Sequence, residues 1–224
     1  MNTNPNAKRI LCYGDSNTQG VIPGDLGRYP ANVRWTGVLQ NALGEKFEII
    51  EEGLWGRTTN LDDDHPGFED KNGKEYLVPC LLSQFDLDFV ILWLGSCDLK
   101  EYCNRDAKGA AKRAEALINI ILKNMPKTEI ILVSPPIIKP QMEDYKITYK
   151  GSSEKSKDFA KEYRLIAEKY NCQFVDMAKV AAPSDVDGTH FEKVDHTKIG
   201  KMFAEIIRKM EENEAAFNFP GHYK

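Results

Sequence analysis

Lys8-Arg-Ile-Leu-Cys-Tyr13, followed at once by Gly14-Asp15-Ser16-Asn17-Thr18, decides how the rest of the chain is read. The apolar run from Ile10 to Tyr13 predicts a strand, and the Gly-Asp-Ser after it predicts that the strand stops there. A strand that ends this way offers the Ser16 hydroxyl at the carboxyl rim of a sheet, where open α/β sheets bind ligands. A hydroxyl is a weak nucleophile until a base takes its proton. The remaining sequence is therefore read for a base, a carboxylate to orient it, and donors for an oxyanion.

Working outward, apolar Trp35, Val38, Leu39, Ala42 and Leu43 recur at helical spacing between Val33 and Leu43, and Gly44 stops them. Phe47 to Ile50 reads as a second strand ending at Gly53, which leads into Leu54-Trp-Gly-Arg-Thr-Thr59. Leu61 to Tyr76 is acidic and Gly-rich, a surface loop, and Leu77 to Phe85 is a short helix started or kinked by Pro79. Asp88 to Leu94 is a continuous apolar run of the kind a parallel sheet buries on both faces. Ala107 to Asn124 predicts an amphipathic helix and Glu129 to Val133 a fourth strand, closed by Ser134-Pro-Pro136. A mobile polar stretch from Lys139 to Ser153 then precedes a helix from Glu154 to Tyr170. Gln173 to Asp176 is a fifth strand, Ala181 to His196 a loop and Thr197 to Glu212 the last helix. Strands alternating with helices predict one α/β domain over residues 1–224, a doubly wound parallel five-stranded sheet with helices on both faces. Residues 1–7 and 215–224 are read as tails, the second packing on the body or on a neighbouring subunit.

The 224 residues carry a mild net charge of −4 with no basic block, which argues against nucleic acid as a partner. No apolar run approaches the roughly 18 residues of a membrane span. The polar stretch from Met1 to Lys8 carries no run that could serve as a signal peptide, so a cytoplasmic location is expected. The five cysteines form no Cys-x-x-Cys pair and are read as reduced thiols.

Of the four histidines, His190 lies in the loop after the last strand, which a parallel sheet brings to the rim of Ser16. In Asp187-Gly188-Thr189-His190, a turn through Gly188 lets the carboxylate reach the far imidazole nitrogen, fixing its tautomer. An arbitrary Asp-x-x-His is more often a helix cap beside a surface histidine; its place after the fifth strand reverses that judgement. Oxyanion donors are expected from the Ser16 amide, from Gly56 after the second strand, and from Gly95-Ser96-Cys97-Asp98 after the third.

Gly14-Asp15-Ser16, Gly56, the Gly95-x-x-Asp98 block and Asp187-x-x-His190 together resemble the four blocks of the SGNH/GDSL hydrolases. Arg34-Trp-Thr-Gly-Val-Leu39, Glu51-Glu-Gly-Leu54, Arg57-Thr-Thr-Asn60 and Val133-Ser-Pro-Pro136 are similar to its arylesterase and acyltransferase (perhydrolase-like) branch. The resemblance implies a flavodoxin-like SGNH hydrolase fold and a serine esterase acting on short-chain acyl esters, without cofactor or metal. It implies Ser16 as nucleophile, His190 as base, Asp187 as its partner, and Gly56 with the Ser16 amide as oxyanion donors. It also implies a homo-oligomer. One block departs, because Cys97 stands where the family has a donating asparagine. A thiol is a weak, short donor, so a slow esterase is expected unless another donor or a water fills the gap. The alternatives are a carbohydrate or xenobiotic deacetylase with the same residues, and a catalytically weak homologue that only binds an ester.

Cys97 also admits the readings of a nucleophile, a redox partner of Cys103, or an inert buried thiol. Asp62-Asp-Asp-His65 offers metal-ligand types, but a solvated acidic loop is the plainer reading. Asp195-His196 reads as a helix N-cap followed by an exposed histidine, and Asp15 as a brace for the nucleophile turn. Asn17, Trp55 and Ile137 follow strand ends and are candidates for lining an acyl pocket or for packing. The stretch Lys139 to Ser153 is placed over that pocket, with a polar leaving-group side and a small acyl side.

Overall fold

A computed structural model describes residues 2–25, 27–63, 65–103 and 105–217, with side chains to residue 213. Its elements in chain order are β1 (Lys8–Gly14), α1 (Ser16–Gln19), α2 (Trp35–Leu43), β2 (Phe47–Gly53), α3 (Gly73–Ser83), β3 (Phe89–Trp93) and α4 (Ala107–Asn124). They continue with β4 (Glu129–Ser134), α5 (Glu143–Thr148), α6 (Ser152–Lys155), α7 (Phe159–Tyr170), β5 (Gln173–Asp176) and α8 (Lys193–Phe217).

The five strands pair in the order β2-β1-β3-β4-β5, all parallel. The wholly apolar β3 takes the centre, where every one of its residues is buried, as a strand covered on both faces must be. Side chains alternate between two cores with the two-residue period of a strand. Leu11 and Tyr13 of β1, Val90 and Leu92 of β3 and Ile130 and Leu132 of β4 pack with α3, α4 and α7. Ile10 and Cys12, Phe89, Ile91 and Trp93, and Ile131 and Val133 pack with α2 and α8 on the opposite face. The result is three layers, helices over sheet over helices.

Register positions the site. Gly14 is level with Gly53 on one side and Trp93 on the other, so the loops after β1, β2 and β3 leave the sheet side by side. The expected doubly wound parallel sheet is the observed one.

Several element boundaries differ from expectation. α3 begins at Gly73, where the Asn72 side chain accepts a hydrogen bond from Lys74 N at 3.0 Å, and it carries Pro79 in its interior. The polar Gly-Lys-Glu start of that helix gives no apolar period to read. The stretch expected to be polar and mobile holds α5 and α6, and Tyr145 of α5 with Tyr149 just after it face inward as described below. α8 begins at Lys193, four residues before the expected Thr197, and Asp195 lies within it rather than capping it. The aromatic tail beyond Phe217 lies outside the described residues.

Among the described residues no helix is long and apolar enough to cross a membrane. All five cysteines are free thiols.

Candidate active site

Ser16 is the first residue of α1, immediately past the end of β1. Asp15 is extended and caps the helix, its carboxylate accepting from Asn17 N at 3.0 Å. Burial pushes the Asp15 carboxyl up to about 6, against that hydrogen bond and the charge of His190. Arg57 lies over the Tyr13 ring at 4.4 Å and donates to the Gly14 carbonyl at 3.0 Å, fixing the backbone just before the serine. The expected brace is therefore present.

The loop between β5 and α8 brings the imidazole to the same place. Asp187 Oδ1 accepts from the backbone N–H of both Thr189, at 2.8 Å, and His190, at 2.9 Å. Its Oδ2 accepts from Gly24 N at 3.0 Å and from His190 Nδ1 at 2.7 Å. Gly188 makes this turn at φ +74°, and a Cβ there would lie 1.6 Å from the Lys139 carbonyl oxygen, so only glycine fits. Burial raises the Asp187 carboxyl, but the hydrogen bonds and charge of His190 outweigh it and hold the group well below the usual carboxylate range. With Nδ1–H committed to the carboxylate, the far nitrogen, Nε2, is free to accept. It lies 2.9 Å from Ser16 Oγ. Ser16, Asp187 and His190 are all buried. Asn17 joins the two loops by donating from Nδ2 to the Thr189 carbonyl at 3.1 Å.

Facing them stand the loops after β2 and β3. Gly56 has φ +77°, and a Cβ would press within 2.9 Å of the Phe68 ring. Lys100 donates from Nζ to the Gly56 carbonyl at 3.4 Å and pairs with Asp63 at 2.6 Å, with both side chains almost fully shielded from solvent. Asp98 ties the two loops together, accepting from Thr59 N at 2.8 Å and from the Thr59 hydroxyl. Burial raises Asp98 to about 6, and the Thr59 bonds oppose that rise. Cys97 is buried between them; its Sγ accepts from the Tyr149 hydroxyl at 3.7 Å, and burial pushes the thiol up to about 12. A thiol held protonated in this way is a poor nucleophile.

These loops enclose a cavity of about 200 Å³ containing Ser16, Gly56, Cys97 and His190, with Trp55, Phe68, Tyr145 and Tyr149 as its aromatic walls. Asn17 and Trp55 line it, and Ile137 does not. The extended chain past β4 alternates its side chains, so Pro136 and Ile138 face the cavity while Ile137 faces a separate pocket with Ala181 and Pro183. The stretch expected to lie over the pocket puts Asp144, Tyr145 and Thr148 of α5, and Tyr149 just after it, into the wall.

Two further expectations are overturned. Asp63 is not part of a solvated acidic loop but is buried in the pair with Lys100, because the loop folds back over the site. Asp62 accepts from Asn72 Nδ2 at 2.8 Å, Asp64 lies outside the described residues, and among those described no group of three or more possible ligands gathers around a metal position. His196 is not exposed: it is fully buried, its Nδ1 accepting from Trp35 N at 3.2 Å. Reading the sequence also missed Lys100, Tyr145 and Tyr149. The available signals were a lysine two residues past Asp98 and two tyrosines one helical turn apart inside a polar stretch.

A catalytic serine needs a base at its oxygen, a group that orients the base, and donors near the reacting carbon, and this arrangement can supply each of them to a small acyl group. Residues 12–195, well over half of the chain, match the model of the GDSL-like Lipase/Acylhydrolase family. The structure is similar to that of an aryl esterase from M. smegmatis, with a TM-score of 0.86 and 35% identity over 91% of this chain and 99% of that one. It is similar also to a carbohydrate acetylesterase from Sinorhizobium meliloti, with a TM-score of 0.86 and 31% identity over 91% and 99% of the two chains. No curated protein matches the sequence. The chain belongs to the GDSL/SGNH hydrolase family, in its arylesterase and acetylesterase branch.

Proposed function

We propose that this carboxylic ester hydrolase cleaves short-chain acyl esters through an acyl-enzyme on Ser16, with His190 as general base and Asp187 as the group that orients it. The observation that carries the reading is the unbroken line from Ser16 Oγ through both nitrogens of His190 to Asp187 Oδ2, with links of 2.9 and 2.7 Å. As Ser16 Oγ attacks the ester carbon, its proton passes to His190 Nε2, and the carboxylate stabilises the imidazolium that forms. The tetrahedral oxyanion is held by the amides of Ser16 and Gly56. His190 returns the proton to the departing alkoxide, leaving the acyl group on Ser16. A water or an alcohol then attacks with the same proton shuttle in reverse, giving hydrolysis or acyl transfer.

Size sets the acyl group. A cavity of about 150 Å³ holds one benzene, so about 200 Å³ shared between an acyl chain and part of its alcohol leaves room for two to four acyl carbons. The aromatic walls favour an aryl or otherwise flat alcohol, as the name of the M. smegmatis relative suggests. Cys97 occupies the position of the missing carboxamide and slows the reaction unless another donor or a water fills the gap. Cys97→Asn raises kcat on a short acyl ester, and an unchanged or lower rate removes that part of the proposal.

The test is a fluorophosphonate probe followed by a panel of p-nitrophenyl esters. Labelling that disappears in Ser16→Ala and His190→Ala supports the mechanism, and folded protein that does not label refutes it. Acetate is expected to outrun octanoate; the opposite order overturns the small acyl site.

A further inference from the structure

Substituting cysteine for a carboxamide leaves one wall of the cavity without a strong side-chain donor. A hydroxyl beside that gap belongs to Tyr149, which lies 3.7 Å from Cys97 Sγ and lines the same cavity as Ser16 and Gly56. A carboxamide nitrogen would reach only about 1.3 Å past the atom that Sγ replaces, so the phenol and the missing amide serve the same small space. We propose that the Tyr149 hydroxyl is the third oxyanion donor of this enzyme, a catalytic residue that takes over the role Cys97 cannot perform. The proposal rests on the assignment of Ser16 as nucleophile.

Three features suit Tyr149 to the task. Its backbone is anchored on both sides, its N–H donating to the Tyr145 carbonyl at 2.8 Å and its C=O accepting from Ser152 N at 2.9 Å. Burial raises its phenol well above the ordinary tyrosine value, so it stays protonated and able to donate around neutral pH. In the free enzyme its partner is a sulfur, which is a weak acceptor. An oxyanion is a far stronger one. When the tetrahedral intermediate forms, the hydrogen bond moves from sulfur to oxygen and no proton is transferred. The gain belongs to the transition state rather than to the bound ester, so it appears in kcat.

The experiment is a cycle on p-nitrophenyl acetate with Tyr149→Phe, Cys97→Asn and the double variant. Losing an oxyanion donor costs about a hundred- to a thousandfold in kcat, so Tyr149→Phe is expected to lower kcat at least about tenfold with KM nearly unchanged. In the Cys97→Asn background the same change is expected to cost under about threefold, because the carboxamide has resumed the role. An equal loss in both backgrounds assigns Tyr149 to packing and overturns the proposal, as does an unchanged kcat in Tyr149→Phe. Cys97→Asn alone supplies an arm that does not depend on folding of the phenylalanine variant. A gain below about tenfold fits a gap already filled, and a gain near a hundredfold shows that the gap was open. Fluorophosphonate labelling in every variant separates this inference from the parent reading. If Ser16→Ala retains full activity, the nucleophile assignment has failed, whereas intact Ser16 dependence with an indifferent Tyr149 overturns only the donor.

Discussion

The two walls of the cavity are built in different ways. On one side, two of the five hydrogen bonds to the Asp187 carboxylate come from the backbone of Thr189 and His190, within three residues of it. A turn of four residues thus creates much of its own geometry, and contacts across the molecule from Ser16, Asn17 and Gly24 complete it. On the other side Gly56, Cys97, Lys100 and Tyr149 come from three separate segments, and they are held by pairings with partners 37 to 52 residues away. The first wall is encoded by a motif; the second exists only once the chain has folded.

The largest expected effect breaks the motif wall. Ser16→Ala or His190→Ala should lower kcat by about 10⁶-fold, as when a member of a catalytic triad is removed, and Asp187→Asn by about 10⁴-fold because the wrong tautomer is then favoured. Steady-state hydrolysis of p-nitrophenyl acetate measures both. Losses of tenfold or less would mean that the line of contacts through His190 is not the proton path.

A smaller effect sharpens the description of the other wall. Lys100 and Asp63 form a buried ion pair under the Gly56 carbonyl, and Lys100 also lies 3.8 Å from the centre of the Phe68 ring. Removing one partner leaves an uncompensated buried charge, which costs about 3–5 kcal/mol. Lys100→Met is expected to lose that much in urea unfolding, and Lys100→Met with Asp63→Leu to recover most of it. If the single variant unfolds at the wild-type midpoint, the pair does not hold this wall in place.

The same division explains what could be read from the sequence. The sheet was legible because β1, β3 and β4 are short apolar runs bounded by turn residues, and the alternation of βα units fixes a parallel order. Ser16, Gly56 and the Asp187-x-x-His190 pair could be singled out because each lies in a short pattern in a loop that follows a strand. Asp63 was not, since a carboxylate in an acidic run looks solvated until Lys100 is placed beside it. Tyr145 and Tyr149 were hidden because α5 is short, with acidic and basic residues around a single aromatic turn. Ile137 was misplaced by one residue of an extended chain, which is enough to turn a side chain to the other face.

The smallest effect concerns two histidines six residues apart, both buried at the start of α8 or just before it. His190 has a carboxylate on one side and a hydroxyl on the other, whereas His196 accepts from Trp35 N and packs edge-on to Tyr29. Burial, reinforced by the charges of His190 and Arg34, lowers His196 to about 4. An unfolded histidine titrates near 6.5. Between those values the unfolded chain binds a proton that the native state refuses, so His196 adds stability as pH rises and withdraws it as pH falls from about 6.5 towards 4. Asp15 and Asp98, raised to about 6, act with the opposite sign, because there the native state keeps the proton longer. His196→Asn keeps an acceptor for Trp35 and removes only the titration. The loss of stability of the wild type between pH 7 and pH 5, measured by urea unfolding, is therefore expected to exceed that of the variant by up to about 2 kcal/mol. Parallel pH profiles for the two proteins would show that His196 titrates alike in the native and unfolded states, so that its burial does not keep the proton off.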